Sequence, residues 1–551
     1  MGIPSYYKSL VNRIHGIVYN SCKEEINWLW IDFNCIVYHC LHRKDSQCCG
    51  TNHTTLRPYP GDDDKALWEK ELLESVVQYC TNIVKKVSPT DGVFIGVDGI
   101  VPMAKMRQQR VRRFKSAWMR ENILSVGEDY EKAACGPQWD TNAITPGTEF
   151  MEKLFNRMTI LVNSKKGWKL SSSFEPGEGE HKIMEQWRTG AYPGNYAVYG
   201  LDADLIVLSL LNRADHNVWL FREVVEAGVI QYNEDGEEKF CWFDVVKLHE
   251  TIFGDIPDAK RQRCVSDYCC AMSLLGNDFV PSALGLKIRD KGYEFLSTIL
   301  RKMWADQSSV HLVEEDGQKL SYDGLCYLFK ELAESEEGRI CASVSSKIKQ
   351  GNMSEVRRLS KQEVVGHTDW PLYEVDESVL VRASYSAGHI PTYKLVPKWK
   401  EIYLRKWFSS TGDSMALCGA YLYGLQWIWA YYTGNTSSVC YNWHYPWSLP
   451  PLWCWLRDHC KSEKCLSSFP NHISLRRDDI CPEEHIALVL PLESWSLVRG
   501  PHKNLPMKHP WLFPSSYKFF SAGKRWFWET EAEIPVLSIA ELKRGGVNAG
   551  C

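Results

Sequence analysis

No run of apolar residues in this 551-residue chain approaches the ~20 that a membrane-spanning helix needs, and Met1 to Leu10 is too polar and too short for a secretory signal. Gly2 is followed at the sixth position by Tyr6, where N-myristoylation requires Ser or Thr. These absences predict a soluble, cytoplasmic protein with no membrane partner. An excess of one charge is missing too: 64 Lys plus Arg stand against 68 Asp plus Glu, a formal net charge of −4. Overall charge therefore names no partner, and any nucleic-acid footprint must be local. The twenty cysteines lack metal-site spacing. Cys454, His459, Cys460 and Cys465 lie close together without the paired C-x₂₋₄-C and H-x₃₋₅-H intervals, and Cys48-Cys49 and Cys269-Cys270 are no better placed. In the absence of a secretory signal they read as reduced thiols, most of them small buried hydrophobes. There is no internal repeat and no long low-complexity tail.

What is present is a chain long enough for two or three domains of roughly 100 to 200 residues, organised around two pairs of acids. Glu178 and Glu180 flank one glycine in Phe174-Glu-Pro-Gly-Glu-Gly-Glu-His-Lys182. Asp202 and Asp204 flank one alanine in Tyr199-Gly-Leu-Asp-Ala-Asp-Leu205. Clustered carboxylates repel and resist ionising unless a cation joins them, and for hard oxygen ligands that cation is Mg²⁺ or Mn²⁺. The apolar run Tyr196 to Leu201 reads as a strand that delivers Asp202 and Asp204 to its carboxyl end, where open α/β sheets keep their ligand sites. A single Asp-x-Asp reads more readily as a solvated turn; two small-spacer pairs in one α/β segment favour a metal centre.

Two more strands end the same way. Trp28 to Ile31 runs into Asp32, followed by Asn34, and Val93 to Val97 runs into Asp98. Between them, residues 40 to 65 read as a polar surface loop leading into an amphipathic helix around Leu67 to Val87. After Asp98 comes Lys105-Met-Arg-Gln-Gln-Arg-Val-Arg-Arg-Phe-Lys115, with six cations and no acid. On a helix Lys105, Gln109, Arg112 and Arg113 share one face. That face is either solvated or an anion pocket, in which Arg offers a planar fork, Lys a point charge and the Gln amide a neutral donor. Thr145-Pro-Gly-Thr148 reads as a helix start before Glu149. Further on, a strand is expected over Val218 to Phe221, a helix over Phe243 to Phe253, and a helix over Ser266 to Leu275 that stops at Gly276-Asn-Asp278. Asp278 is the seventh candidate carboxylate, although Gly-Asn-Asp also serves simply as a helix end.

Residues 313 to 368 turn charged and helical without strand-like runs. From Tyr393 aromatics dominate, and eight of the 23 Trp fall between Trp399 and Trp455. Most of these are core, since Trp is chiefly a packing residue. Tyr441-Asn-Trp443-His-Tyr-Pro-Trp447 reads as a loop in which Tyr441 or Trp443 presents a face for base stacking.

Met1-Gly-Ile-Pro, Asp32-x-Asn34, Val97-Asp-Gly99, Ala104-Lys-Met-x-Gln-Gln-Arg-x-Arg-Arg-Phe114, Ile144-Thr-Pro-Gly-Thr-Glu-Phe150, Pro176-Gly-Glu-Gly-Glu-His-Lys182, Gly200-Leu-Asp-Ala-Asp-Leu205 and Gly276-Asn-Asp-Phe279 together resemble the XRN family of 5′-to-3′ exoribonucleases. The likeness continues through Gly424-Leu-Gln-Trp427, Tyr431-Tyr432, Tyr441 to Pro446 and Gly523 to Trp528. It implies an α/β, PIN/FEN-like nuclease core with a central mostly parallel sheet (residues 1–312), a charged helical linker or arm (313–390) and an aromatic-rich second region (391–551) closing over the active site. Asp32, Asp98, Glu178, Glu180, Asp202, Asp204 and Asp278 would be the catalytic ligands of two Mg²⁺ or Mn²⁺ ions and their surroundings. Lys105, Gln109, Arg112 and Arg113 would bind a 5′-monophosphate, and Tyr38, Tyr441 and Trp443 would stack on bases. The activity implied is 5′-to-3′ hydrolysis of single-stranded 5′-monophosphate RNA to mononucleotides in RNA decay, by a cytoplasmic monomer.

The chain also departs from the family. Tyr38 stands where the family has a stacking His, with His39 beside it; Met103 replaces an Arg; Tyr441 replaces the first Trp of a Trp-x-Trp loop; and the cysteine knuckle that follows the basic helix in the nuclear branch is missing, Cys135 being the one cysteine between Lys115 and Thr145. A flap-type 5′ nuclease would share the acidic core, but Asp278 leads into Phe-Val-Pro-Ser-Ala-Leu-Gly285 rather than a duplex-gripping Gly-x-Gly series. An inactive RNA-binding scaffold would be expected to have lost at least one of the seven acids.

Overall fold

Short, almost wholly apolar runs form strands buried on both faces, the pattern of a parallel sheet covered by helices. The computed structural model describes residues 2–42, 56–126, 138–226, 229–305, 310–353, 372, 375–385, 391–408, 413–462 and 475–545. Its main sheet has seven strands: β1 (Val18–Tyr19), β2 (Trp28–Asp32), β3 (Gly92–Gly96), β4 (Trp168–Ser171), β5 (Tyr196–Tyr199), β6 (Val218–Glu223) and β7 (Phe240–Asp244). Their spatial order is β1-β7-β6-β5-β2-β3-β4. The five from β6 to β4 are parallel, and β7 and β1 close one edge antiparallel. The expected α/β class and mostly parallel sheet are therefore present.

Side chains alternate between the two faces. Leu29, Ile31, Val93 and Ile95 pack under the helices Lys65–Val87 and Glu149–Asn163. Trp30, Phe94 and Val198 face the opposite layer, which includes Gly179–Arg188, Asp204–Asn212 and Asp258–Met272. The helix Ser414–Thr433 joins this second layer. Its sequence is apolar all round, which suits a helix enclosed by core rather than one lying on a surface. Asp413 caps its start by accepting the Met415 N–H at 2.8 Å, and Gly434 ends it in a left-handed conformation. Among the described residues no helix is long and apolar enough to cross a membrane.

The β7–helix junction and the edge strand β4 differ from the sequence reading. Phe243 belongs to β7, paired with Leu220 and Val18, and the helix begins only at Val245, with Asp244 accepting the Lys247 N–H at 2.8 Å. The run Phe-Cys-Trp-Phe favours a pleated surface, and apolar periodicity alone does not separate a buried strand from the helix that follows it. The edge strand β4 went unpredicted because Trp-Lys-Leu-Ser is short and carries an exposed Lys169. The polar stretch 43–55, which includes Cys48-Cys49, as well as Cys135, residues 354–368 of the charged arm and Cys465 of the cysteine–histidine group lie outside the described residues. Cys454 and Cys460 are buried in the helix Trp453–Ser462, whose start is held by Glu336 accepting the Trp453 and Cys454 N–H groups at 2.6 and 3.0 Å.

Candidate active site

The neighbouring strands β2 and β5 connect onward in opposite directions, β2 to β3 on one side and β5 to β6 on the other, and the crevice beyond such a switch point is where doubly wound sheets bind ligands. Asp32 ends β2, Asp98 lies two residues past β3, and Asp202 lies three past β5. β4 leads through residues 172–178 into the helix Gly179–Arg188, which places Glu178 at the cap position and Glu180 in the first turn. Asp204 opens the helix Asp204–Asn212. Two helix N-termini, whose dipoles favour negative charge, thus meet at the same crevice. Asp98 Oδ1 accepts the Gly179 N–H at 2.7 Å, and the Asp98 N–H donates to Asn34 Oδ1 at 3.2 Å, which ties three of the sequence motifs together.

The spacer between the paired glutamates has to be glycine. A Cβ at position 179 would sit 2.6 Å from both Asp32 Oδ1 and the Gly96 carbonyl oxygen. Gly2 is constrained similarly: at φ 59° any side chain would collide with the Asp204 carboxylate, while the Ile3 N–H donates to Asp204 Oδ1 at 3.1 Å. The Gly-Ile-Pro segment therefore seats directly on the acidic site.

All seven carboxyls belong to one electrostatic group. Burial, then Asp98, Asp202 and Glu178, hold Asp32 well above the ordinary carboxylate range. Burial, then Glu178 and Asp204, do the same to Glu180. Asp204 is pushed up to about 7 by burial and by Asp278 and Asp202. Glu178 is also raised by burial, against the opposing pull of Lys105. At Asp278 burial is outweighed by the Lys105 ammonium, which holds the carboxyl below its usual value. Lys105 itself, despite burial, is held well above its usual value by Asp278, Glu178 and Glu180; its Nζ bridges Glu178 Oε1 and Asp278 Oδ2, the latter at 2.7 Å. One lysine does not neutralise seven acids. Glu180 Oε2 and His181 Nε2 are buried with no hydrogen-bond partner, and Glu178, Glu180 and His181 bring ligand atoms within 4.8 Å of one another. Hard oxygen donors, unrelieved negative charge and an orphaned carboxylate oxygen fit a divalent-cation site.

Three neighbours of the acids, though part of the matching motifs, were given no site role from sequence. His181 is partly buried, and desolvation of its ring holds the imidazole neutral, well below its usual pKa. Its ring lies 3.9 Å from that of Tyr431, centroid to centroid. Tyr431, from the helix Ser414–Thr433, donates its hydroxyl to Glu178 Oε2 at 2.8 Å. Tyr432 sits close enough to Asp204, Glu180 and Asp278 that, after burial, those acids raise its phenol further. His181 was legible inside the Glu-Gly-Glu-His motif; the tyrosines are more than 200 residues away in the chain.

The basic helix, Met103–Val126, divides its cations between two tasks. Lys105 pairs with the acids. Gln109 is buried, its Oε1 3.0 Å from His485 Nε2. Arg112 is exposed and acts on Asp278. Arg113 is buried, its Nη1 has no hydrogen-bond partner, and burial lowers its pKa to about 10. Arg110, by contrast, is structural: its guanidinium lies over Phe114 and Phe513 and donates to the carbonyl oxygens of Leu488, Pro535 and Leu512. Lys115 donates to the carbonyls of Trp528 and Thr530. No local pattern distinguishes these two from the four on the pocket side, because their acceptors lie several hundred residues downstream.

The aromatic loop is more enclosed than its sequence suggests. Trp443 has 0% of its surface exposed and Tyr441 4%, so neither stands at a free surface. Trp443 packs 5.1 Å from Trp427, and a Cβ on Gly424 would lie 3.0 Å from its ring. The loop is held by the Met103 N–H donating to the Tyr441 carbonyl at 2.8 Å and by Trp427 Nε1 donating to the Cys440 carbonyl at 2.9 Å. Proline and polar neighbours suggested a loop correctly, but the helices on either side of it enclose its rings. Trp443→Ala is accordingly expected to destabilise the fold by about 3–5 kcal/mol, read by denaturant unfolding. A change below about 1 kcal/mol would contradict a core role. Tyr38, on the helix Asn34–His42 just after Asp32, is partly exposed and within electrostatic reach of Arg113.

Residues 1–224 match the family model described as the XRN 5′-3′ exonuclease N-terminus. That segment is similar to the XRN nuclease N-terminus. The chain is 30% identical over 336 residues to 5′-3′ exoribonuclease 1 of Schizosaccharomyces pombe, covering 55% of this chain and 24% of that protein. It is 32% identical over 329 residues to 5′-3′ exoribonuclease 2 of the same yeast, covering 50% and 32%. To Homo sapiens 5′-3′ exoribonuclease 1 it is 26% identical over 608 residues, covering 98% of this chain and 34% of that protein. The chain thus spans about a quarter to a third of the length of these curated relatives. Six of the seven acids and the four pocket-side residues of the basic helix fall within the matched XRN segment; Asp278, Tyr431 and His485 lie beyond it.

Proposed function

We propose that this chain is a 5′-to-3′ exoribonuclease that degrades single-stranded RNA bearing a 5′-monophosphate to mononucleotides, in cytoplasmic RNA decay and as a monomer. The observation that carries the reading is one crevice in which seven mutually interacting carboxyls stand beside a basic helix whose Arg113 is buried with an unpaired Nη1. Glu178, Asp202 and Asp204, with Asp32, Asp98, Glu180 and Asp278 around them, would hold two divalent ions, Mg²⁺ or Mn²⁺. Such ions supply Lewis-acid stabilisation of a phosphodiester and activation of water near neutral pH.

The chain's own residues do the rest. Lys105, Gln109, Arg112 and Arg113 bind the terminal phosphate and set the first linkage over the acids. The phosphate's charge suits an anion pocket lined by Arg and an amide. Tyr38 stacks on the leading base. Tyr431 fixes one oxygen of Glu178, so the 391–551 region completes a site begun in residues 1–312, with 313–390 as the arm between them.

The test is an incubation of 3′-labelled RNAs carrying 5′-hydroxyl, 5′-monophosphate or 5′-triphosphate ends, with Mg²⁺ or with a chelator. The expected result is mononucleotide release from the monophosphate RNA in Mg²⁺ alone. Internal fragments, or equal rates on all three ends, would overturn the reading.

A further inference from the structure

Gln109 is a neutral side chain among cations, and an amide can present either its N–H₂ or its carbonyl to an anion. One orientation attracts a phosphate and the other repels it. His485 selects between them. Its Nε2 lies 3.0 Å from Gln109 Oε1, and the ring is fully buried. Its other nitrogen, Nδ1, has no hydrogen-bond partner, so a proton there would be a buried donor left unsatisfied. Burial first, then the nearby Arg113, hold the imidazole neutral with a pKa of about 3. The proton therefore sits on Nε2 and is donated to Gln109 Oε1, which leaves the amide nitrogen for another acceptor. Turning the amide over would set N–H against N–H.

The position of His485 is itself tightly built. It lies on the helix Pro482–Val489, which starts with Pro in its first turn and with Glu484 accepting the Cys481 N–H at 3.0 Å. Opposite that helix stands Gly147 of the Thr-Pro-Gly-Thr segment. At φ 91° a Cβ there would come 2.7 Å from Pro482 Cβ and 2.9 Å from Ile486 Cδ1. The same junction is tied by Asn142 Nδ2 donating to Ser494 Oγ at 2.8 Å. A motif that the chemistry of the acids leaves unused thus seats the helix that carries His485.

We propose that His485 is a positioning residue for 5′-end recognition: by donating to Gln109 Oε1 it fixes the amide with its nitrogen toward the terminal phosphate. The inference rests on the end-recognition reading above, and the test separates the two. The quantity measured is the ratio of kcat/KM on 5′-monophosphate RNA to that on 5′-hydroxyl RNA. His485→Phe keeps ring volume and removes the donor, and it is expected to lower the ratio about tenfold, the scale of one hydrogen bond, chiefly through KM on the monophosphate RNA. His485→Gln, whose amide nitrogen reaches where Nε2 lies, is expected to restore most of the ratio; His485→Asn, whose amide stops at the Nδ1 position, is not. Gln109→Leu lowers the ratio similarly, and His485→Phe added to it costs nothing further if His485 acts through Gln109. An unchanged ratio in His485→Phe, or full additivity with Gln109→Leu, would sink the proposal. Thermal unfolding checks each variant, and should His485→Phe fail to fold, the contrast between His485→Gln and His485→Asn decides the matter. A wild-type protein with no monophosphate preference would remove the end-recognition reading and this inference together, whereas a preference insensitive to His485 removes only the inference.

Discussion

Asp204→Ala and Glu178→Gln are each expected to reduce Mg²⁺-dependent cleavage below detection while leaving the circular dichroism spectrum unchanged. Both side chains are buried among like charges, so each removes a cation ligand and little apolar packing. Measurable turnover by either variant at saturating Mg²⁺ would contradict the assignment. The metal-free protein offers a second readout. Asp204 titrates at about 7 in the fold against 3.8 ordinarily, so between those values the native state keeps a proton that the unfolded chain has lost. Stability contributed by this group is complete below about pH 4 and is lost as pH rises toward 7. Asp204→Asn lacks the titration. Without metal it should match wild type at pH 4 and exceed it at pH 8 by on the order of a few kcal/mol. A stability difference that does not grow with pH would show that the carboxyl is not confined with its neighbours.

Arg113→Met is expected to collapse the preference for 5′-monophosphate over 5′-hydroxyl RNA by on the order of a hundredfold, the equivalent of two charge-assisted hydrogen bonds. Arg113 is chosen over Arg112 because it is buried, has no carboxylate bound to it among the described residues and leaves Nη1 unpaired, whereas Arg112 is exposed. At a pKa of about 10 the guanidinium remains charged at the pH of any ordinary assay. Methionine keeps the stem's packing, so the comparison isolates the charged fork. Equal losses on both RNAs would mean that Arg113 attracts the backbone at large or supports the fold, and end-specific recognition would have to reside elsewhere.

These two predictions rest on residues that were legible to very different degrees. Asp32, Asp98, Asp202 and Asp204 could be placed together from sequence because each follows an apolar run short enough to be a strand, and parallel strands deliver their carboxyl ends to one edge. Glu178 and Glu180 were legible through their glycine, whose missing Cβ lets the helix start press against β3 and Asp32. Asp278 was ambiguous, since a helix end and an acidic ligand look alike in one dimension. The basic helix was found as a patch, but its division of labour was hidden: Arg110 and Lys115 look like their neighbours and yet bind carbonyls near residues 488–535.

The sequence by itself determined the α/β class, the strands that carry the acids, the small spacers between them and the face shared by Lys105, Gln109, Arg112 and Arg113. All of these follow from local periodicity and from where the backbone tolerates no side chain. Only the tertiary structure decided that Lys105 is held by Glu178 and Asp278, that Tyr431 and His485 reach the site, and that Trp443 is enclosed by Trp427 and Gly424. The physical reason is that burial and charge depend on which distant segment packs nearby. A tyrosine 253 positions away from Glu178, or a histidine 376 away from Gln109, leaves no mark on the pattern around its partner.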